Sequence, residues 1–252
     1  MLTTLLLTTL AGLNLASAAP SPPGTTCPPA YNSSPAFKLV AVVVDPKKDV
    51  DPPIHGTVLQ TAHIGPGFTR ATLGQDSDSP GRVFYQNGTY EDLTMQRIGI
   101  ISDGGTPPFP NGLTYQADDN APGTEPRGQA LFVNAGASGG GTRLSRLYEP
   151  ISKLTILSDV VASAFVACPK SRIPYYGDRW EFTVLNWVQA TRSSTGSQVV
   201  IPEGCVEVEM IPQCAPLEAL PEGAYSSHEF VQEVRCYDDV MGIKWAKYGL
   251  GA

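Results

Sequence analysis

Short apolar runs, separated by turn residues, follow one another along most of the 252-residue chain. The first long run, residues 37–44, is rich in valine and typical of a mostly buried β-strand. Residues 205–210 alternate instead, so Glu207 and Glu209 face one side of a predicted strand and apolar residues face the other. Further strand candidates occupy residues 57–62, 68–73, 82–86, 96–101, 113–116, 129–134, 154–156, 162–167, 180–187 and 198–201.

The spacing of these candidates predicts an all-β fold. Turn residues recur about every 8–12 residues, which is typical of a compact antiparallel sandwich or barrel. A trefoil is an alternative with the same spacing. The chain contains 25 glycines and 23 prolines, which favour turns over long helices. The residues expected in the core are Phe37, Leu39, Val83, Phe84, Phe132, Phe165, Phe182 and Val206.

The N-terminal residues 1–18 are predicted to be a cleaved signal peptide. They carry no charged side chain and end in Ala16-Ser17-Ala18, the small-x-small pattern that signal peptidase recognises. The apolar run is too short to span a bilayer core of about 30 Å. The proline-rich residues 19–35 then predict an extended lead-in. We therefore expect a secreted protein without a membrane insertion.

The all-β domain is predicted to cover residues 36–215, followed by a linker and a helical tail over residues 216–252. Ser226 and Glu229 have the spacing of a capping box. This pattern predicts a short C-terminal α-helix over residues 227–241 that packs its apolar stripe on the β domain. The stripe consists of Phe230, Val234, Tyr237 and Met241.

The charge of the chain excludes two classes of partner. The net charge is −7 and the sequence pI is about 4.9, with no lysine- or arginine-rich run. Neither nucleic acid nor an anionic membrane is expected to bind such a chain.

Five cysteines in a secreted chain predict structural disulfides, with one thiol left over. Their spacing alone leaves the pairing open. Two sequons, at Asn32 and Asn87, predict N-linked glycans at surface positions.

Two patterns suggest hydrolase chemistry, and each has a simpler interpretation. Residues 136–140 fit Gly-x-Ser-x-Gly around Ser138, but no convincing helix follows, and the only downstream histidine is His228. Glu207 and Glu209 lie two residues apart on one strand face, so their carboxylates fall near the separation of about 5–10 Å found in glycosidases. A flexible turn and a solvated strand face are the favoured interpretations.

Metal binding is weakly indicated. His55 and His63 lie eight residues apart without a third clustered ligand, and residues 76–81 imitate only the start of a calcium loop. We expect neither a metal nor a cofactor. Exposed aromatic side chains over residues 175–180, Tyr-Tyr-Gly-Asp-Arg-Trp, are the best candidate for a sugar-binding surface, although such clusters are more often core.

Several segments of the chain resemble a family of small fungal secreted proteins without an assigned function. The most specific part is Arg-Val-Phe-Tyr-Gln-Asn-Gly-Thr at residues 82–89, and the resemblance covers residues 36–215. The other matching segments are residues 37–41, 167–168, 204–206 and 212–214.

A fainter resemblance links the chain to phialide-type fungal cell wall proteins. The shared features are an early apolar strand, Ala-Cys-Pro at residues 167–169, a tryptophan-bearing strand over 180–187 and late cysteines. The resemblance implies an extracellular or wall-associated protein and disulfides joining Cys168 to Cys205 and Cys27 to Cys214. Each such bond stabilises by about 3–5 kcal/mol in the chain-entropy model.

The expected function is a structural or binding role at the cell wall, without catalysis and with wall polysaccharide as the candidate partner. Two alternatives remain open: a secreted hydrolase based on Ser138 or on a carboxylate pair, and a carbohydrate-binding or effector protein.

Overall fold

Nine antiparallel strands close into a barrel in the computed structural model, which describes residues 27–74, 80–95, 97–116, 128–136, 139–146, 148–157, 162–193 and 196–250. The barrel strands and one added edge strand are β2 (Ala36–Val43), β3 (Leu59–Gly65), β4 (Phe68–Leu73), β5 (Phe84–Tyr85), β6 (Ile101–Gly104), β7 (Phe109–Gln116), β8 (Gly128–Ala135), β11 (Ser163–Arg172), β12 (Glu181–Gln189) and β15 (Val206–Ala215). The order around the ring is β11, β15, β2, β5, β6, β7, β8, β4, β12 and back to β11, and β3 pairs with the outer edge of β4.

Three two-stranded antiparallel sheets and a few short helices complete the described chain. The paired strands are β1 (Asn32–Ser34) with β16 (Val234–Cys236), β9 (Thr142–Leu144) with β10 (Leu154–Ile156), and β13 (Thr191–Ser193) with β14 (Gly196–Gln198). The helical pieces are α1 (Tyr90–Thr94) and 3-10 turns at Pro46–Lys48, Pro174–Arg179 and Trp245–Tyr248. The all-β prediction is confirmed, and the chain adopts the barrel among the topologies that the spacing left open. The predicted signal peptide, residues 1–18, lies outside the described residues.

Apolar side chains fill the barrel interior. Alternate residues of a strand point to the same side, so every second residue of each barrel strand contributes to this core. Seven of the eight residues expected in the core are buried, and the eighth, Val83, is half-buried. Phe132 and Phe182 belong to smaller clusters outside the main interior cluster. Large interior side chains include Phe37, Leu39, Phe84, Leu113, Leu131, Phe165 and Trp187.

The ring closes at a fork between three strands. β8 and β12 pair directly where Ala130 lies opposite Asn186, and then they separate. β4 enters between them and pairs with both, with Arg70 opposite Phe132 on the β8 side. Beyond the branch point β8 and β12 no longer pair with each other, so carbonyl groups on both strands need another donor.

Arg70 occupies this branch point and is only 3% exposed. Its guanidinium donates to the carbonyl oxygen of Leu131 on β8 (2.6 Å) and to that of Leu185 on β12 (3.1 Å), and also to Oδ1 of Asn186. It lies 5.0 Å from the ring centroid of Phe132. One planar, multi-donor side chain therefore satisfies acceptors on both strands that β4 separates.

The C-terminal residues cover the outside of β2 and β15. Val40 and Val42 point out of the barrel, where they pack with Tyr237, Val240 and Trp245. The indole nitrogen of Trp245 donates to the carbonyl of Val240 at 2.8 Å. Because β2 is buried on both faces from Leu39 onward, that part of its sequence is a continuous apolar run and not an alternating one.

The α-helix predicted over residues 227–241 is wrong. Residues 234–236 form strand β16, which pairs with β1, so the lead-in that the prolines predict to be irregular also contains a short strand. Backbone hydrogen bonds between Tyr237 and both Pro212 and Cys214 hold the segment extended. Of the predicted apolar stripe, Phe230 and Met241 are exposed, because tertiary pairing satisfies the backbone groups that a helix would have used.

The structure contains two disulfide bonds. Cys168 is bonded to Cys205, as the resemblance implied. Cys214 is bonded to Cys236, with 5.1 Å between their Cα atoms, so the implied pairing of Cys27 with Cys214 is wrong. The extended C-terminal segment brings Cys236 beside Cys214, and Cys27 is an exposed free thiol.

We expect Arg70→Met to lower the free energy of unfolding by about 2–4 kcal/mol, because it leaves buried acceptors on β8 and β12 without a donor. Urea unfolding at pH 7 measures the change. The matched control is Arg97→Met, since Arg97 is 56% exposed and pairs with the carboxylates of Glu91 and Asp92 on helix α1. The control should cost no more than about 1 kcal/mol. Equal losses in the two variants would contradict the role assigned to Arg70.

Candidate functional site

A cleft of about 610 Å³ lies at one end of the barrel, where the inward-facing positions become polar. We call it the polar cleft; the side chains that define it are His63, Arg82, Tyr85, Ser102, Asp103 and Asn111. Asn111 lies two residues before the core residue Leu113, and Ser102 two residues after the core residue Ile100. Residues two apart share a strand face, so the cleft is a polar mouth above an apolar interior.

Asp103 is the centre of a hydrogen-bonded group at the wall of this cleft. Its Oδ1 accepts from the hydroxyl of Tyr85 at 2.8 Å, and its Oδ2 lies 2.8 Å from Nε2 of His228. The rings of Tyr85 and His228 pack edge to face with 4.9 Å between centroids. Burial raises the pKa of Tyr85, and the hydrogen bond to the Asp103 carboxylate raises it further.

Arg82 holds the neighbouring wall of the polar cleft. Its Nε donates to Oγ of Ser102 at 2.8 Å, and one Nη donates to Oγ1 of Thr61 at 3.1 Å. A longer contact of 3.4 Å reaches the backbone carbonyl of Asp103. Burial lowers the pKa of Arg82, and the charge of Asp103 acts in the opposite direction. Arg82 therefore joins Thr61 on β3 to Ser102 on β6.

The segment over residues 82–89 positions most of this group. After Phe84 and Tyr85 pair with β2 and β6, the side chain of Asn87 donates to the carbonyl of Ser227 (2.8 Å) and accepts from the amide of Phe230 (3.0 Å). These two bonds hold residues 227–230 against the barrel, which places His228 beside Asp103. Thr89 then caps helix α1 through a capping box with Asp92.

Aromatic side chains extend from the edge of the polar cleft onto the surface. His63 lines the cleft, and its ring meets that of Tyr175 edge to face at 5.0 Å. Tyr175 is 59% exposed and Trp180 is 61% exposed, while Tyr176 between them packs against Phe182. The expected aromatic cluster therefore divides into an inward-facing tyrosine and two exposed rings.

The described part of the chain does not assemble the hydrolase candidates into a site. Ser138 lies outside the described residues. Glu209 faces outward as predicted, but its Oε1 is 2.6 Å from Nζ of Lys153 and the side chain is largely buried. Burial raises the pKa of Glu209, against the lowering effect of Lys153. The expectation of a freely solvated carboxylate pair is therefore wrong for Glu209.

The histidines have structural neighbours. Nδ1 of His55 accepts a hydrogen bond from the backbone amide of Val43 at 3.1 Å. Across the described ranges, no group of three or more histidine, cysteine, aspartate or glutamate side chains is arranged to hold a metal ion.

The two sequon asparagines have different environments. Asn32 is exposed on β1, and its Nδ2 lies 3.3 Å from Oδ1 of Asp238. Asn87 is half-buried and uses both amide atoms to hold the C-terminal segment. Glycosylation at both positions stays a prediction.

Sequence patterns do not identify Asp103, Arg82, Tyr85 and His228 as a group. The Arg-Val-Phe-Tyr segment carries a family resemblance, without any indication that its arginine and tyrosine meet Asp103. The sequence predicts a strand over Gln96–Ile101, which leaves Asp103 outside it. The observed strand is Ile101–Gly104 and contains Asp103. A partner 125 residues away, His228, has no signature in local sequence.

We expect Tyr85→Phe to weaken the loss of stability at alkaline pH. The folded protein resists ionisation of this phenol, whereas the unfolded chain loses the proton near pH 10, so the pKa of Tyr85 is higher in the folded state. The contribution of Tyr85 to stability is therefore complete below about pH 10 and falls above it, by about 1.4 kcal/mol at pH 11.

The measurement is the free energy of unfolding in urea at pH 8.5 and pH 11, for the wild type and the variant. Tyr85→Phe should lose about 1 kcal/mol less than the wild type over this interval. The exposed Tyr90→Phe should lose as much as the wild type. The assignment is wrong if Tyr85→Phe declines as steeply as the other two proteins.

Among the described residues, no helix has the length and apolar character to cross a membrane.

Comparison with known proteins gives a family and one curated relative. Residues 34–214 match the family model described as a domain of unknown function (DUF7907). Antigenic protein SchS34 of Stachybotrys chartarum is 37% identical over 222 residues, which covers 88% of this chain and 94% of the relative. No solved structure matches the chain. Because the family model matches most of the chain and the relative is 37% identical over nearly its whole length, the chain belongs to this fungal family of proteins with a domain of unknown function.

Proposed function

We propose that the protein is secreted, acts in the extracellular space or at the cell wall, and binds wall polysaccharide without catalysis. The observation that carries this proposal is the polar mouth of the barrel with the exposed rings of Tyr175 and Phe68 beside it. The polar cleft would hold a short stretch of sugar units, and the rings of Tyr175 and Trp180 would extend the contact along the polymer.

The lining of the polar cleft suits a polyhydroxylated ligand. Asn111 supplies an amide donor and acceptor, Asp103 supplies carboxylate acceptors, and Arg82 supplies fixed guanidinium donors. The volume of about 610 Å³ falls within the range of about 300–1,000 Å³ that is typical of ligand pockets, which frequently lie in the mouths of β-barrels. Tyr85 is bonded to Asp103, and Arg82 is bonded to Ser102 and Thr61, so a ligand would meet preorganised groups.

The exposed aromatic side chains supply the apolar part of the contact. A ring such as that of Tyr175 or Trp180 offers a flat apolar face together with a polar group, which suits a partner with both apolar and hydroxyl-bearing surfaces. Phe68, half exposed, lies between Gly67 and Thr69, and both of these line the polar cleft. Tyr175 and Phe68 therefore place exposed rings beside the cleft, which supports a binding surface there.

Three further observations support an extracellular role. Two disulfides are typical of proteins that fold in an oxidising compartment. The curated relative is named as an antigenic protein. The sequence also resembles phialide-type wall proteins in its cysteine-bearing and tryptophan-bearing strands. The predicted signal peptide and glycans belong to the same proposal.

The test is retention of the purified secreted protein by insoluble chitin, β-glucan and washed fungal walls at high salt. We expect retention by at least one of these materials. Tyr175→Ala and Trp180→Ala should each weaken binding by about tenfold, or ~1.4 kcal/mol. The control is Tyr90→Ala, because Tyr90 is 70% exposed but lies on α1 and lines neither the polar cleft nor its aromatic edge.

Failure to bind any of the three materials would overturn the polysaccharide proposal. Equal weakening by Tyr90→Ala would show that the aromatic edge is not the contact. Soluble sugar released from the polymer during the incubation would overturn the non-catalytic part, and Asp103→Asn would then test whether the Asp103 group carries the activity.

A further inference from the structure

A second cleft, of about 470 Å³, contains three arginines. We call it the arginine cleft. Arg143 comes from β9, Arg146 from the residues that follow it, and Arg235 from β16, while helix α1 forms the opposite wall. The three arginines do not lie on one face of a single strand, so no local sequence pattern groups them and only the tertiary structure brings them together.

Cationic groups outnumber the acidic ones in the arginine cleft. The whole chain carries a net charge of −7, so a cluster of three guanidinium groups runs against its overall charge. Glu233 lines the cleft and accepts a hydrogen bond from the hydroxyl of Ser33 at 3.0 Å. Glu149 lies close by, and its carboxylate accepts from the backbone amide of Arg146 at 3.2 Å.

Arg143 and Arg146 are the two cations on which the proposed site rests. Within the described residues, Nη1 of Arg143 is buried and no protein atom accepts a hydrogen bond from it. Burial lowers the pKa of Arg143, and the charge of Arg146 lowers it further, with Glu149 acting in the opposite direction. Arg146 stacks over the ring of Tyr148 at 5.7 Å and donates to its hydroxyl, which is a neutral partner. Arg235 already contacts the ring of Tyr31 at 5.3 Å, so the proposed site does not depend on it.

The rest of the arginine cleft is apolar. Leu144 and Val234 belong to the main core cluster and form part of the lining. Leu93 and Met95 line the side formed by α1, and Met95 is 64% exposed although it is a large apolar side chain. An apolar lining beside a cationic group is suited to a ligand with both characters.

We propose that the arginine cleft binds a small amphipathic acid, with an apolar chain or ring against Leu93, Met95 and Leu144 and an oxyanion group at Arg143 and Arg146. An oxyanion can accept the hydrogen bonds of two guanidinium groups and offset their mutual repulsion. The apolar part replaces water on Met95 and Leu93. This site is separate from the polar cleft and does not depend on polysaccharide binding.

The charge and shape of the surroundings favour a small acid over a polymeric anion. The chain is acidic overall, so a long polyanion would meet repulsion outside the cleft. The volume of about 470 Å³ is that of a pocket for a small organic molecule.

The test uses octanoate, 1-octanol and acetate as probes in calorimetric titrations of the full secreted protein at pH 7. We expect octanoate to bind at least tenfold more tightly than either of the others, because only octanoate has both the chain and the carboxylate. Arg146→Gln, an exposed position, should weaken octanoate binding by about fivefold to tenfold. Arg143→Gln combined with Arg146→Gln should reduce it to the level of 1-octanol.

Two variants control for the apolar contact and for bulk charge. Met95→Ser should weaken octanoate binding severalfold and leave the folded state intact, because the side chain is exposed. Lys47→Gln removes one positive charge from an exposed position that does not line the cleft, and should leave binding unchanged.

Equal affinity for octanoate and 1-octanol would overturn the role of the arginines. Equal affinity for octanoate and acetate would overturn the apolar part. Unchanged octanoate binding by Arg146→Gln, measured on a protein whose circular dichroism matches the wild type, would also overturn the proposal. Polysaccharide retention should be the same in Arg146→Gln and wild type, which separates this test from that of the polar cleft.

Discussion

The barrel depends on how its ring of strands is closed. β8 and β12 diverge, β4 enters between them, and the buried guanidinium of Arg70 bonds to carbonyl groups of both strands at the branch. A backbone acceptor left without a donor at this depth would cost about 1–3 kcal/mol. A hydrophobic side chain could fill the same space but could not satisfy two strands at once. The interior can therefore be largely apolar because the polar requirements of closure are met by one side chain at the fork.

A closed and filled interior moves possible binding sites to the ends and outer surface of the barrel. At one end the inward-facing positions change from Leu113 and Ile100 to Asn111 and Ser102, and the polar cleft begins there. The arginine cleft forms where β9, β16 and α1 meet over the edge of the core. Each cleft combines residues from distant parts of the chain on a rigid strand framework, which is a favourable arrangement for a preorganised site.

The C-terminal segment connects the two clefts. Asn87 holds residues 227–230 against the barrel, which brings His228 to Asp103 beside the polar cleft. A few residues later the same segment carries Arg235 into the arginine cleft, and the Cys214–Cys236 bond fixes its position. The segment then covers the outer face of β2, where Trp245 and Tyr237 pack. It is therefore part of the folded domain and of both candidate sites, although its sequence suggested a separate helix.

The sequence by itself determined the fold class, the seven buried core residues among the eight expected, and the strands Phe68–Leu73 and Leu154–Ile156, because turn spacing and apolar patterning are local properties. It did not determine the C-terminal conformation. There the helical spacing of Phe230, Val234, Tyr237 and Met241 was a coincidence, overridden by a disulfide and by pairing with β1. Only the tertiary structure decided that Asp103 meets His228 and that Arg143 meets Arg146 and Arg235. These contacts join residues up to 125 positions apart, and no local pattern encodes which distant side chains a closed barrel will bring to one end.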